Sequence, residues 1–330
     1  MNRTNVMHEQ WDYLIILDAC RYDYFERMYR RCLGGKLEKK ISVGSSTVEW
    51  RDLSFPDYYD DVVYISANPN ISADLPVHGF CAGEHFHKVY EVWKTGWDKN
   101  RGTVLPEILT QTALDIISNN LGKRFIIHYL QPHAPYLSLG EVSRGYVDAD
   151  INADRVLIDD AGPKEKSRFK NKLLKIISQP FKKTNILTNK PEWVLKKLLG
   201  LAPSAPMEAA WRNAGKKGLQ AAYRANLEIV LEQVAVLVEH LSGRIIITAD
   251  HGELLGEDKS YAHPPGSTNP ILTEVPWLVI DKPKDTSPPE TLTVPTKEET
   301  QKPTGPKDKI DSEKEQREIT DKLKALGYYE

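Results

Sequence analysis

The sequence predicts an α/β fold with a mostly parallel central sheet. Short apolar runs recur at residues 11–17 (WDYLIIL), 61–67 (DVVYISA), 124–130 (RFIIHYL), 244–248 (RIIIT) and 276–280 (PWLVI). Near-continuous runs of this kind mark strands buried on both faces. Stretches with helical spacing alternate with them, which is the rhythm of α/β architecture. Acidic and histidine side chains stand directly after the runs, at the sheet edge where open α/β folds hold ligands.

Whole-chain properties bound the answer. The 330 residues exceed one average domain, but sheets of this size often fold as one unit. A net charge of −2 and an ordinary composition give no sign of a nucleic-acid partner. Cys20, Cys32 and Cys81 are an odd set without C-x-x-C spacing, which fits a reducing compartment and neither a disulfide framework nor a zinc ribbon. The opening MNRTNVMHEQ lacks the apolar core of a signal peptide, and no run approaches the roughly 20 apolar residues of a spanning helix. The expectation is a cytoplasmic protein.

The elements follow in order. Run 11–17 is a central, parallel strand ended by Asp18. Residues 19–31 read as a helix with Tyr22, Phe25, Met28 and Tyr29 on a core face. At its start, Arg21 and Asp23 suit either a ligand contact or a structural ion pair. Residues 40–52 (KISVGSSTVEWRD) read as strand, turn and helix start. Ser45, Ser46 and Thr47 are ordinary N-caps. A hydroxyl there also sits where helix amides favour an anion, and beside a metal it is a competent nucleophile. Strand 61–67 closes at Asn68-Pro69. In 84–97, His85 and His87 would point apart on a helix, so joint ligation is not expected. Residues 104–121 have helical spacing. Strand 124–130 holds His128 as a core residue and leads into QPHAPY, where two prolines stiffen the loop of His133.

Residues 140–206 interrupt the rhythm and read as an inserted cap. Their lysine-rich amphipathic part, 164–197, suits a solvated face over the site or a contact with an anionic membrane. Residues 219–241 form a long helix with Leu227, Val230, Leu231, Val234, Leu237 and Val238 in its buried stripe. After the last strand, 282–310 reads as a Pro/Thr-rich linker. Ser312 and Glu315 make a capping box for a final helix, 311–330, which carries Ile319, Leu323 and Leu326, stops at Gly327 and would dock on the body.

Chemistry concentrates in 244–263, RIIITADHGELLGEDKSYAH. Alone, Asp250 reads as a helix cap and His251 as a core histidine. With Asp18 and a hydroxyl of the Ser-Ser-Thr turn they make a four-donor set for one divalent cation, Zn²⁺ or Mn²⁺. Gly252 leaves room for close backbone approach. His263, twelve residues after His251, can return to the same site. That leaves His133 and His263 for a substrate or a second metal. A metal-activated hydroxyl and a histidine that protonates a leaving oxygen suit phosphoryl or sulfuryl esters.

In LDACRYD (17–23), the Ser-Ser-Thr turn, QPHAPY, ITADHGELLGE (247–257) and His263, the sequence resembles the alkaline phosphatase superfamily, specifically its sulfatase-like branch. The ending KLKALGYYE is similar to the tail of many sulfatase-like proteins. The likeness spans about 11–280 apart from the basic insertion, and DHGE-x-x-GE is its strongest motif. It implies a three-layer sandwich with helices on both faces of the sheet, and a catalytic domain over 1–281 that includes the cap. It implies Asp18, Thr47, Asp250 and His251 as metal ligands, with Thr47 also the nucleophile. Thr47 fits the family's Thr-x-x-Ser/Asn register better than Ser46, although Glu49-Trp50 replaces the usual Pro-Ser. His133 would hold the transferred group, and His263 would contact substrate as in phosphoethanolamine and phosphoglycerol transferases. Ser46 and Arg21 complete the expected substrate contacts.

The departures are informative. No C-x-P-S-R or S-x-P-S-R run exists, so a formylglycine nucleophile is not expected. Leu17-Asp18 and Asp250-His251 replace the paired Asp and Asp-Asn of formylglycine sulfatases. Both differences favour a hydroxyl nucleophile and phosphorus over sulfur. No convincing Asp-x-x-x-His set adds to the donors, which favours one tight metal with a second admitted. The expected substrate is an anionic phosphoester, glycan- or lipid-linked. The expected enzyme is soluble, or peripheral at the inner membrane face through the basic insertion. The rivals are a sulfatase without formylglycine and a non-catalytic anion- or lipid-binding protein.

Overall fold

The computed structural model describes residues 3–120, 122–140, 190–200, 203, 205–284 and 309–328. The apolar runs enter one sheet: β1 (Arg3–Thr4), β2 (Tyr13–Leu17), β3 (Lys36–Ser42), β4 (Tyr59–Ser66), β5 (Phe86–Glu91), β6 (Arg124–Tyr129), β7 (Arg244–Thr248) and β8 (Glu274–Asp281). Their spatial order is β1-β3-β8-β7-β2-β6-β4-β5. From β7 to β5 all neighbours are parallel, while β8 runs antiparallel to both β7 and β3.

Successive strand side chains point to opposite faces, and the two cores divide accordingly. Ile15, Leu17, Val63, Ile65, Ile127 and Ile247 enter one core, with Leu14, Ile16, Val62, Tyr64, Ile126 and Ile246 in the other. The first core is closed by α1 (Tyr22–Met28), α3 (Pro106–Ser118), α5 (Pro206–Glu239, broken at Gly215) and α6 (Lys309–Leu326). On the opposite face, α2 (Thr47–Ser54) brings Trp50 to Trp11, Phe55 and Trp277. The sheet therefore has helices on both faces, as expected. The short α4 (Lys190–Leu198) puts Trp193 against Trp211 and Tyr261 in a third, smaller cluster.

Several boundaries differ from the sequence reading. Residues 86–91 form an edge strand, so His85 and His87 do not stand on a helix. Phe86 is buried, whereas His87 and Lys88 are exposed, and a charged face of this kind suits a sheet edge. The capping box also fails. Ser312 lies within α6, which spans Lys309–Leu326, and so is not its N-cap, and Glu315 pairs with Lys94. The helix expected over 219–241 begins earlier, at Pro206. Most of the proposed cap, 141–189, lies outside the described residues. Among the described residues no helix is long and apolar enough to cross a membrane.

Candidate active site

Parallel strands end on one side of a sheet, and here β2, β4, β6 and β7 deliver Asp18, Asn68, the 131–136 loop and Asp250-His251 to the same place. The Asp18 main chain ties the set together, its N–H donating to Tyr129 O and its carbonyl accepting from His133 N (both 3.1 Å). Ala19 then adopts φ +58°, and its N–H donates to Asp250 Oδ1 at 3.0 Å. Tyr223 of α5 braces this turn, receiving Arg21 N–H and donating to Ala19 O.

The two turn hydroxyls separate cleanly. Ser46 is the N-cap of α2, its Oγ accepting from Glu49 N at 3.4 Å. Thr47 is the first helical residue and is fully buried. Its hydroxyl donates to Asp250 Oδ2 at 2.7 Å and lies 3.2 Å from His251 Nε2.

The donor set fits a cation. His251 Nδ1 donates to Gly252 O at 2.7 Å, so in the neutral ring Nε2 carries a lone pair. That lone pair faces Asp250 Oδ2 at 3.3 Å and Asp18 Oδ1 at 3.8 Å. Burial, then neighbouring His263, pushes the His251 pKa well below its ordinary value, which keeps the ring neutral. Burial and the Asp250 charge push the Asp18 carboxyl well above the ordinary range. Asp18 Oδ1 is buried without a hydrogen-bond partner. Buried acceptors turned toward one another in this way are costly unless a positive charge lies between them. Asp18, Thr47, Asp250 and His251 would supply three oxygens and one nitrogen to such an ion.

A second donor set adjoins the first. His133, Glu253 and His263 offer ligand atoms within 4.8 Å of one another. Burial lowers the His133 pKa to about 4, against the pull of Glu253. Its Nδ1 donates to Ala134 O at 2.6 Å, so its Nε2 lone pair faces Glu253 Oε2 at 4.0 Å. Contact between His133 and an anion therefore needs a proton or a cation on Nε2. For His263, burial opposes the charged form, but Glu253, in charge and in a 3.1 Å hydrogen bond, and Asp250 hold the pKa above its ordinary value.

Arg21 does not reach this centre. Its guanidinium spans Asp23 (2.9 and 3.0 Å) and Glu257 (2.7 Å), so its charge is spent on a structural ion-pair network. Ser46 likewise uses its oxygen as a cap. Several residues that the sequence did not single out do take part. His128, read as core, is fully buried with Nδ1 2.9 Å from Tyr64 Oη and Nε2 without a hydrogen-bond partner, and a ring nitrogen lies within 4.8 Å of ligand atoms on Asp18 and Asp250. Asn68 donates to Asp18 Oδ2 at 2.6 Å, and its place at a strand end was the available signal. Asn226 of α5 fixes the histidine loop by donating to the carbonyls of His133 (3.1 Å) and Pro135 (2.9 Å). Tyr328 reaches the centre from after α6.

Gly252 permits the close approach expected of it. A Cβ there would stand 2.0 Å from Ile271 O, and its N–H donates to Leu272 O at 2.8 Å. Gly252→Ala is expected to cost about 2–3 kcal/mol through backbone overpacking, read as a lower urea midpoint with unchanged slope. An unshifted midpoint would show that the 270–273 turn yields freely.

No protein-family model matches the sequence, and no curated protein matches it. Solved structures similar to the chain include the soluble domain of lipooligosaccharide phosphoethanolamine transferase A from Neisseria meningitidis (14% identity over 81% of this chain and 75% of that one, TM-score 0.46). They also include the C-terminal periplasmic domain of EcEptC from Escherichia coli in complex with Zn (12% identity, 84% and 75% covered, TM-score 0.47). A third is the lipoteichoic acid synthase LtaP from Listeria monocytogenes (11% identity, 84% and 66% covered, TM-score 0.40). Phosphoethanolamine transferases are among the proteins that the motifs resemble. At these identities and TM-scores, the chemistry of the site rests on its own residues.

Proposed function

We propose that the protein is a metal-dependent phosphoesterase or phosphotransferase in which Thr47 attacks the phosphorus of an anionic ester. The observation that carries this reading is the Thr47 hydroxyl, buried and in contact with both Asp250 and His251. Asp18, Thr47, Asp250 and His251 would hold one Zn²⁺ or Mn²⁺, which when bound lowers the hydroxyl pKa and offsets charge on the attacked group. The hydrogen bond to Asp250 aims Thr47 Oγ1. As the new P–O bond forms, the Thr47 proton passes to Asp250 Oδ2 along that hydrogen bond, the bond to the leaving oxygen breaks, and His263 in its protonated form supplies the proton that oxygen needs. Water or an alcohol then attacks the phosphothreonine and gives its proton to the now neutral His263, while Thr47 Oγ1 leaves and takes its proton back from Asp250. Glu253 orients His263 and stabilises its charged form.

Metal content of the purified protein, measured beside His251→Ala, tests the centre, and matched aryl phosphate and sulfate esters test the reaction. About one metal per chain, lost in the variant, with phosphate preferred, supports the reading. Preference for sulfate moves it to a sulfatase without formylglycine. Absence of both metal and turnover, even after reconstitution, overturns it in favour of a binding protein. The glycan- or lipid-linked substrate rests on the sequence resemblance. A cytoplasmic location rests on the three cysteines without C-x-x-C spacing, and a membrane contact on the lysines of 164–197, of which 164–189 lie outside the described residues.

The acid role has a pH signature. Protonated His263 is present below its raised pKa, so kcat/KM should fall as pH rises through a value above 6.5. Glu253→Gln removes the charge that raises this pKa, while burial still opposes protonation. The alkaline limb should therefore move down by about one pH unit or more. A limb unmoved in Glu253→Gln would remove His263 from the acid role.

A further inference from the structure

The segment that follows helix α6 places a tyrosine inside the site. Ile319, Leu323 and Leu326 are 0–1% exposed in the core shared with α3 and α5. Lys322 Nζ lies 5.0 Å from the Trp93 ring centroid and 5.6 Å from that of Trp97, and Lys94 pairs with both Glu91 and Glu315. Beyond the helix Gly327 takes φ +90°, a conformation that favours glycine, and the chain turns Tyr328 toward the strand ends. Tyr328 Oη lies 2.6 Å from Asp18 Oδ2, 3.2 Å from Asn68 Nδ2 and 3.3 Å from Thr47 Oγ1. Its ring stacks on His133 (5.0 Å, 2°) and meets His263 edge-on (5.8 Å, 61°).

Those contacts coincide with the surfaces a transferred group would use. A phosphoryl group in reach of Thr47, His133 and His263 needs the volume that the phenol fills. Asp18, Thr47, Asp250 and His251 are meanwhile all fully buried. We infer that α6 with Tyr328 is a self-inhibitory plug: Tyr328 occupies the place of the phosphoryl group, and an anionic ester binds only when this segment withdraws. The inference rests on the proposed role of Thr47 as the attacking group. The latch that holds the plug lies outside the site, in the pairing of Lys94 with Glu315 and the seat of Lys322 on two tryptophans. Loosening it need not touch any reacting group.

The test uses the full chain loaded with Mn²⁺ and titrated with inorganic phosphate. If the closed form holds roughly nine-tenths of the population, Tyr328→Ala binds phosphate about tenfold more tightly than wild type, and Glu315→Lys shifts affinity the same way by a smaller factor. In wild type, saturating phosphate should speed hydrogen exchange over 312–328. Equal or weaker phosphate binding by both variants, or slowed exchange, overturns the plug and makes Tyr328 part of the binding surface. Phosphate binding by none of the three proteins also overturns it. Tighter binding by the variants without ester turnover by any of them leaves the plug standing and removes the role proposed for Thr47. If no metal binds, the same titration of the metal-free proteins decides the plug separately from the metal centre.

Discussion

Thr47→Ala lowers kcat on a phosphoester by about 10,000-fold or more while the fold persists, because the substitution removes the bond-forming atom and little else. The helix retains its cap: Ser46 bonds Glu49 N, and Ser45 N and Oγ both donate to Glu49 Oε2. Alanine is favourable at a first helical position. Ser46→Ala is the matching control. It removes the cap and should cost about 1 kcal/mol of stability with kcat largely kept. Steady-state kinetics beside thermal melts read both effects. A Thr47→Ala protein with a tenth of wild-type kcat, or a Ser46→Ala protein that is folded and inactive, would assign the wrong hydroxyl to the attack.

The centre was legible to different depths for physical reasons. Asp18, Asp250 and His251 follow apolar runs directly, and a run buried on both faces has one direction in a parallel sheet, so their side chains collect at one edge. His133 was legible through the loop after β6. The choice between Ser46 and Thr47 needed helix phase, because one residue of rotation exchanges a cap for a group facing the strand ends. His128 reads as core and is fully buried in β6, but an in-strand histidine has the same signature whether its ring meets core alone or core and site. Its register beside Ile16 and Ser66 places it one residue from the β6 end, and a ring nitrogen lies within 4.8 Å of ligand atoms on Asp18 and Asp250. Tyr223 and Tyr328 act on the Asp18 turn from 202 and 310 residues away, and periodicity carries no information about such neighbours. Residues 86–91 show the local limit: their spacing alone did not reveal the strand, and pairing with β4 settles it.

Asp250→Asn should separate the metal centre from the fold, because Asp250 contributes to them with opposite sign. Its Oδ1 accepts from Ala19 N and His251 N, at 3.0 and 2.9 Å, which an asparagine oxygen can still do. In the variant, the amide nitrogen replaces Oδ2 and can donate to His251 Nε2 and Thr47 Oγ1. The metal-free fold thus keeps its hydrogen bonds and sheds one of two adjacent buried charges. After burial, the Asp250 charge is the main cause that raises the Asp18 pKa. A carboxyl raised in this way stabilises the folded protein below its unfolded pKa and loses that contribution as pH rises through the folded value. With Asp250 neutralised the folded pKa falls, so the metal-free variant should lose less stability toward neutral pH than wild type. Metal binding should move oppositely. Losing one anionic donor from a buried set costs about 4 kcal/mol, roughly 1,000-fold in affinity for Mn²⁺ or Zn²⁺. Wild type should gain about 2.7 kcal/mol at a metal concentration one hundred times Kd, and the variant almost none at the same concentration. Calorimetric titration and melts with and without metal, at two pH values, measure both sides. An asparagine variant that binds metal within about tenfold of wild type would remove Asp250 from the ligands, and a metal-free variant clearly less stable than wild type would show that its charge holds the fold together.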